Sequence, residues 1–178
     1  MTNDDIAVTL DRPDREDVRV LLDEHLTDMF ATSPAESVHA LDHDALLDPS
    51  ITFWSARDAH GRLLGCGALR LLDERNAELK SMRTAASARG KGVAARVLAA
   101  IVEAARTRGV ERLWLETGAE DYFAAARRLY ARHGFVECPP FGEYVPDRHS
   151  VFMTRDVRDA HADADAGGPP RGGRERRP

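Results

Sequence analysis

The sequence predicts an α/β fold in which a mixed, mostly antiparallel sheet is flanked by helices. Two observations carry this. Three strand-type runs between Ile51 and Thr84 are separated by turn residues alone, so the early sheet is antiparallel. After Thr84, two strongly periodic helices alternate with short strands, which supplies the crossovers that parallel pairing needs.

Taken in order, Ile6-Ala7-Val8-Thr9-Leu10 reads as a short strand ended by Asp11-Arg12-Pro13. Val18, Leu21, Leu22, His25, Leu26 and Met29 recur at helical spacing, behind the acidic start of Asp14 and Asp17. Ser33-Pro34 stops that helix, and a polar stretch to Pro49 has room for a short helix over 36–41. Ile51 to Arg57 and Leu63 to Leu72 form a hairpin around Asp58-Ala59-His60-Gly61-Arg62. Asn76 to Thr84 is a third strand. Val93, Val97, Leu98, Ile101, Val102 and Ala105 then make one apolar stripe, closed by Gly109. Arg112 to Thr117 is a strand, and Tyr122, Phe123, Ala126, Leu129, Tyr130 and His133 form a second helical stripe capped by Gly134. Short strands at Phe135–Cys138 and Ser150–Thr154 complete the order, with no internal repeat.

Composition narrows the function. The 178 residues fit one domain, at about 100–200 residues per domain, and 43% hydrophobic content supports one core. The net charge of -5 argues against a nucleic-acid partner. There is no run of about 18 apolar residues, so no membrane span is expected. Met1-Thr2-Asn3-Asp4-Asp5 is acidic where a secretory signal would be basic. Cys66 and Cys138 lack metal spacing, and both read as small buried hydrophobes of a protein in the reducing cytoplasm. His39 and His43 stand four apart, but nothing nearby completes a metal site, so no metal is expected. Residues 157–178 hold five arginines, four acids and almost nothing apolar larger than alanine, which predicts a disordered tail after a domain of residues 1–156.

The informative segment is Arg89-Gly90-Lys91-Gly92-Val93-Ala94, between a strand and the start of the firmest helix. A helix N-terminus presents unpaired N–H groups, glycines allow close approach, and Arg89 and Lys91 add charge, so the segment suits phosphate. It is not a P-loop, because Gly92 follows Lys91 and Ala85 occupies the upstream glycine position. Gly90, Gly92 and Ala95 do meet the dinucleotide pattern Gly-x-Gly-x-x-Ala, which leaves a nicotinamide-binding reading open, but the spacer from Ala85 to Arg89 is longer than that turn allows.

Arg89-x-x-Gly92-x-Ala94 resembles the pyrophosphate loop of the GNAT superfamily of acetyl-CoA-dependent N-acetyltransferases. Glu78-Leu79-Lys80-Ser81-Met82-Arg83-Thr84 looks like that family's central strand, and Leu129-Tyr130 with Gly134-Phe135 is similar to its late helix and strand. Leu115-Glu116-Thr117-Gly118, Pro140 to Tyr144 and Ser150 to Met153 resemble a bacterial branch of small acetyltransferases. The resemblance spans residues 5–156. It implies a sheet splayed at the central strand, with acetyl-CoA in the gap. Backbone groups near Met82 and Thr84 would hold the acetyl and pantetheine portion, and the amides of Arg89, Gly90, Lys91, Gly92, Val93 and Ala94 the pyrophosphate.

Direct transfer to a primary amine is implied, and two residues match catalytic positions. Glu78 lies eleven residues before Arg89, where some members carry a general base acting through water. Alternation puts Glu78, Lys80 and Met82 on one face, so Lys80 would lower the carboxyl pKa, and a structural Glu78–Lys80 pair is the other reading. Tyr130 matches the tyrosine near the CoA sulfur and would protonate the departing thiolate; packing in the core is its alternative. The resemblance would bring His39, Phe141, Glu143 and Tyr144 beside the acceptor, with a solvated loop as the other reading of the His39 region. A small-molecule or amino-acid-like amine is the expected acceptor, with protein amines and a non-catalytic acyl-CoA-binding module as alternatives, and a homodimer is compatible with the family.

Overall fold

The computed structural model describes residues 6–158, so nearly all of the predicted tail lies outside the described residues. Val157, assigned by sequence to the tail, belongs to the fold. It is fully buried, its amide donates to the Glu111 carbonyl, and its own carbonyl accepts from Arg106.

Strands β1 (Ala7–Leu10), β2 (Ile51–Arg57), β3 (Leu63–Leu71), β4 (Asn76–Thr84), β5 (Arg112–Gly118), β6 (Val136–Cys138) and β7 (Ser150–Asp156) form one sheet in the order β1-β2-β3-β4-β5-β7-β6. Helix α1 (Glu16–Thr32) covers one face, where Val18, Leu21 and Leu22 pack with Phe53, Cys66 and Ala68. Helices α2 (Val93–Thr107) and α3 (Ala124–Arg132) contribute to the core of the other face, where Val97, Leu98 and Ile101 join Leu79, Leu113 and Tyr130. The expected mixed, mostly antiparallel sheet is therefore present, with β4–β5 its one parallel pair.

Two expected helical segments differ. The stretch expected as a helix over 36–41 has a single 3-10 turn at Ala35–Ser37 instead, because Pro34 fixes its entry and no apolar stripe supports more. Tyr122 and Phe123 belong to a 3-10 turn that precedes α3 rather than to the helix.

The sheet opens at its centre. β4 pairs with β5 only over Asn76–Glu78 against Arg112–Trp114, and from Leu79 onward the two strands part. On its other edge β4 stays paired with β3, through a register shift between Cys66 and Ala68. Ser81 sits opposite that shift at φ 53, a left-handed conformation for a residue with a Cβ. The bulge corrects one expectation. Glu78 and Lys80 share a face, but the extra residue turns Met82 over to the α2 side, and a Cβ built on Gly67 would lie 2.5 Å from its sulfur. The same Cβ would lie 2.8 Å from Val97 and 2.9 Å from Ile101, so a glycine is what lets α2 settle onto β3.

Candidate active site

Two cavities meet at His39, Ala40 and Lys80, which line both. The first, about 660 Å³, is the cleft where β4 and β5 part. Its floor is β4 from Leu79 to Thr84, whose backbone has no ladder partner on the β5 side. One end is the Arg89–Ala95 segment, Lys91 apart. Gly92 caps α2 at φ 76, which a Cβ would strain, and the first intrahelical bond in this turn is from Arg96 N to Gly92 O at 3.2 Å. The amides of Val93, Ala94 and Ala95 thus have no helical acceptor, and they sit at the positive end of the α2 dipole. Arg89 lines this end, whereas Lys91 folds back and donates to the Ser87 carbonyl at 2.8 Å.

Met82, Thr84, Arg89, Gly90, Gly92, Val93, Ala94 and Tyr130 therefore share the cleft. Tyr130 is 6% exposed and burial keeps its hydroxyl pKa well above the ordinary value, so it stays protonated. Its hydroxyl makes no hydrogen bond among the described residues. Arg83 is held in the wall by Asp28 at 2.7 Å and the Tyr122 hydroxyl at 3.1 Å, which leaves its Nε buried without a partner. The Ser81 hydroxyl is likewise buried and unpartnered. Unsatisfied donors beside an unpaired strand edge fit a long ligand rich in carbonyl oxygens, as a pantetheine chain is.

The second cavity, about 790 Å³, holds Glu78, His39, Phe141 and Tyr144. Glu78 is 2% exposed, and its Oε1 accepts from Tyr144 at 2.5 Å and from Lys80 at 3.2 Å. Lys80 uses its remaining donors on the His39 carbonyl at 2.9 Å and the Tyr144 hydroxyl at 3.0 Å. All three ammonium protons are thereby placed, which is what permits a buried lysine. Burial, followed by the Glu78 charge, raises the Tyr144 hydroxyl far above its ordinary pKa. The His39 ring meets Tyr144 edge-on at 5.0 Å, and burial, then Lys80, lowers its pKa.

Sequence reasoning missed Glu116. It lines the first cavity with Tyr130, burial raises its pKa, and Ser150 donates to it at 2.7 Å. Alternation on β5 is the signal that could have found it, since Leu113 and Leu115 are buried in the core while Trp114 and Glu116 point the other way. It also missed Arg70, which lines the second cavity. Neither cysteine lines either of these two cavities; burial drives the Cys66 thiol up to about 12, which makes it a poor acetyl carrier. Among the described residues no group of three side chains could hold a metal ion, and His43 instead pairs with Asp23.

The profile of the Acetyltransferase (GNAT) family matches residues 18–135, about two thirds of the chain. The chain belongs to this family. It is 53% identical over 135 residues to the uncharacterized N-acetyltransferase YsnE of Bacillus subtilis (strain 168), covering 76% of this chain and 89% of YsnE. It is 41% identical over 135 residues to the IAA acetyltransferase of Azospirillum brasilense, covering 75% and 84% respectively. A Klebsiella pneumoniae crystal structure, of a protein assigned as an acyl-CoA N-acyltransferase, superposes with a TM-score of 0.70 at 28% identity, covering 85% of this chain and 97% of that one. This GNAT protein is thus an acyltransferase of a family that uses acetyl-CoA, and the nicotinamide reading of Gly90 and Gly92 falls with the antiparallel strands that precede them. No helix among the described residues is long and apolar enough to cross a membrane.

Proposed function

We propose that this enzyme transfers the acetyl group of acetyl-CoA to the primary amine of a small-molecule acceptor by direct attack. The observation that carries the reading is the meeting of two unlike cavities at Lys80, one lined by unpaired backbone and a helix start, the other by a buried carboxylate and aromatic rings. The similarity to an IAA acetyltransferase supports a small acceptor over a protein amine. Acetyl-CoA supplies the thioester whose carbonyl carbon the amine attacks.

The chain's residues would then act as follows. The amides of Val93, Ala94 and Ala95 and the Arg89 guanidinium hold the pyrophosphate. Backbone N–H groups from Met82 to Thr84 point at the acetyl oxygen, where negative charge grows. Glu78 accepts the amine proton through water, and Lys80 and Tyr144 fix its carboxylate. Tyr130 gives its proton to the departing sulfur, so one proton is removed where the C–N bond forms and one is supplied where the C–S bond breaks.

Glu116 is the competing base, because it shares the first cavity with Tyr130 and Glu78 does not. Thiol release from acetyl-CoA, followed against a panel of amines across pH, tests both readings. If only peptide amines are acetylated, the small-molecule reading fails. The base is the residue whose glutamine variant loses the acidic limb of the kcat/KM profile and falls by about a hundredfold or more. Glu78→Gln should do so while leaving CoA affinity intact; Glu116→Gln doing so instead would transfer the role.

A further inference from the structure

We infer that the acceptor carries a carboxylate, held by Arg70 at the second cavity, and a flat apolar group that lies against Trp114 and Phe141. This rests on the proposed acetyl transfer and names its acceptor class. Arg70 is the single arginine lining this cavity among the described residues, on β3 directly opposite Glu78 in the ladder. It is solvent-exposed and makes no hydrogen bond or ion pair among the described residues. The other charges there are mostly spent. Glu78 is answered by Lys80. One Asp73 oxygen accepts from the amides of Arg75 and Asn76, and both accept from the Asn76 side chain. Glu143 is the one acid of this lining that makes no hydrogen bond or ion pair among the described residues. A guanidinium free at a cavity wall presents the paired donors that a carboxylate binds in bidentate fashion.

The neighbouring wall is aromatic and fixed. Trp114 is pinned by its indole N–H to the Asn76 side chain at 2.9 Å. Phe141 packs on Trp114 at 5.2 Å between ring centres, tilted by 32°, and Tyr144 stands against Phe141 at 5.0 Å. Such a wall accepts a ring or a branched alkyl group with little ordering cost. With the carboxylate at Arg70 and the apolar part on Trp114, the acceptor's amine is left to face Lys80 and His39, beyond which the first cavity begins.

The test uses the full chain, acetyl-CoA, and matched acceptors. These are amino acids with aromatic or branched side chains, the amides of the same amino acids, and the decarboxylated amines. The acids should exceed their amides by tenfold or more in kcat/KM. Arg70→Gln should collapse that ratio to about one through KM, and Arg70→Lys should restore part of it, with affinity for CoA unmoved. Acids no better than amides, decarboxylated amines preferred in the manner Glu143 would favour, or a preference that survives Arg70→Gln, would each overturn the inference. Should no pair turn over, calorimetry of the acids on the CoA-loaded protein decides. Binding lost in Arg70→Gln upholds the carboxylate site, and no binding or an unchanged affinity overturns it. Failure of acetyl-CoA itself to bind, with the acids still held through Arg70, would sink the acetyl-transfer reading while the carboxylate site at Arg70 stood.

Discussion

The two cavities are made of different materials. The cleft at the β4–β5 splay offers a ligand two stretches of main chain, an unpaired strand edge and the start of α2, brought together by one bulge and a few glycines. The aromatic cavity is made of side chains from distant segments, with His39 after α1, Glu78 and Lys80 on β4, Trp114 on β5 and Tyr144 before β7. Backbone recognition tolerates changes of side chain and so can serve one ligand across many proteins. Side-chain recognition is redefined by each substitution, which suits an acceptor that differs between relatives.

If that division holds, the largest effect should come from placing a charge in the main-chain cleft. Gly92→Glu brings a carboxylate to the helix start where pyrophosphate is proposed to sit, and CoA affinity measured by calorimetry should fall at least about a hundredfold. Gly92→Ala separates charge from strain: a Cβ at φ 76 costs about 1 kcal/mol of stability and adds no repulsion. Equal losses in the two variants would mean that conformation alone governs this end, and unchanged affinity in Gly92→Glu would remove the phosphate assignment.

The same division explains what could be read from the sequence. The α2 stripe, the glycine loop and the order of strands are local signals, and residues 89–94 carry their chemistry within six positions, so the loop and the fold were legible together. Glu78 and Tyr144 were each identifiable, but not the 2.5 Å hydrogen bond between them, since 66 residues separate them in the chain. Nor could alternation foresee that Met82 leaves the face of Lys80, because the bulge at Ser81 depends on pairing with β3. Arg70 carries no motif, and alternation on β5 gives Glu116 a face but no cavity; only the closed sheet puts the two on cavity walls.

A smaller effect should be confined to the side-chain cavity. Tyr144→Phe removes the hydroxyl that donates to Glu78 and accepts from Lys80. Loss of a hydrogen bond to a charged group costs about 1.5–3 kcal/mol, so the acceptor KM should rise about tenfold or more. The KM for acetyl-CoA should hold, since Tyr144 does not line the splay cleft. An equal rise in both constants would show that the two cavities act as one unit and that their separation at Lys80 is only geometric.

The smallest effect lies where α1 meets the splay cleft. His25 lines that cleft, and burial together with Arg83 and Lys80 brings its pKa down to about 4, against the opposing pull of Asp28. The folded protein therefore keeps His25 neutral, while the unfolded chain protonates it near its ordinary value of about 6.5. Below that value the unfolded state binds the extra proton first, so stability present at neutral pH declines as pH falls towards about 4. The full shift corresponds to about 3 kcal/mol and partial exposure reduces it, so between pH 7 and 5 the melting temperature should fall by a few degrees on this account. His25→Gln should flatten that part of the decline. A variant whose melting temperature follows the same curve would place the acid sensitivity elsewhere, with His39 the next candidate, and would show that α1 contributes shape but no titrating group to the cleft.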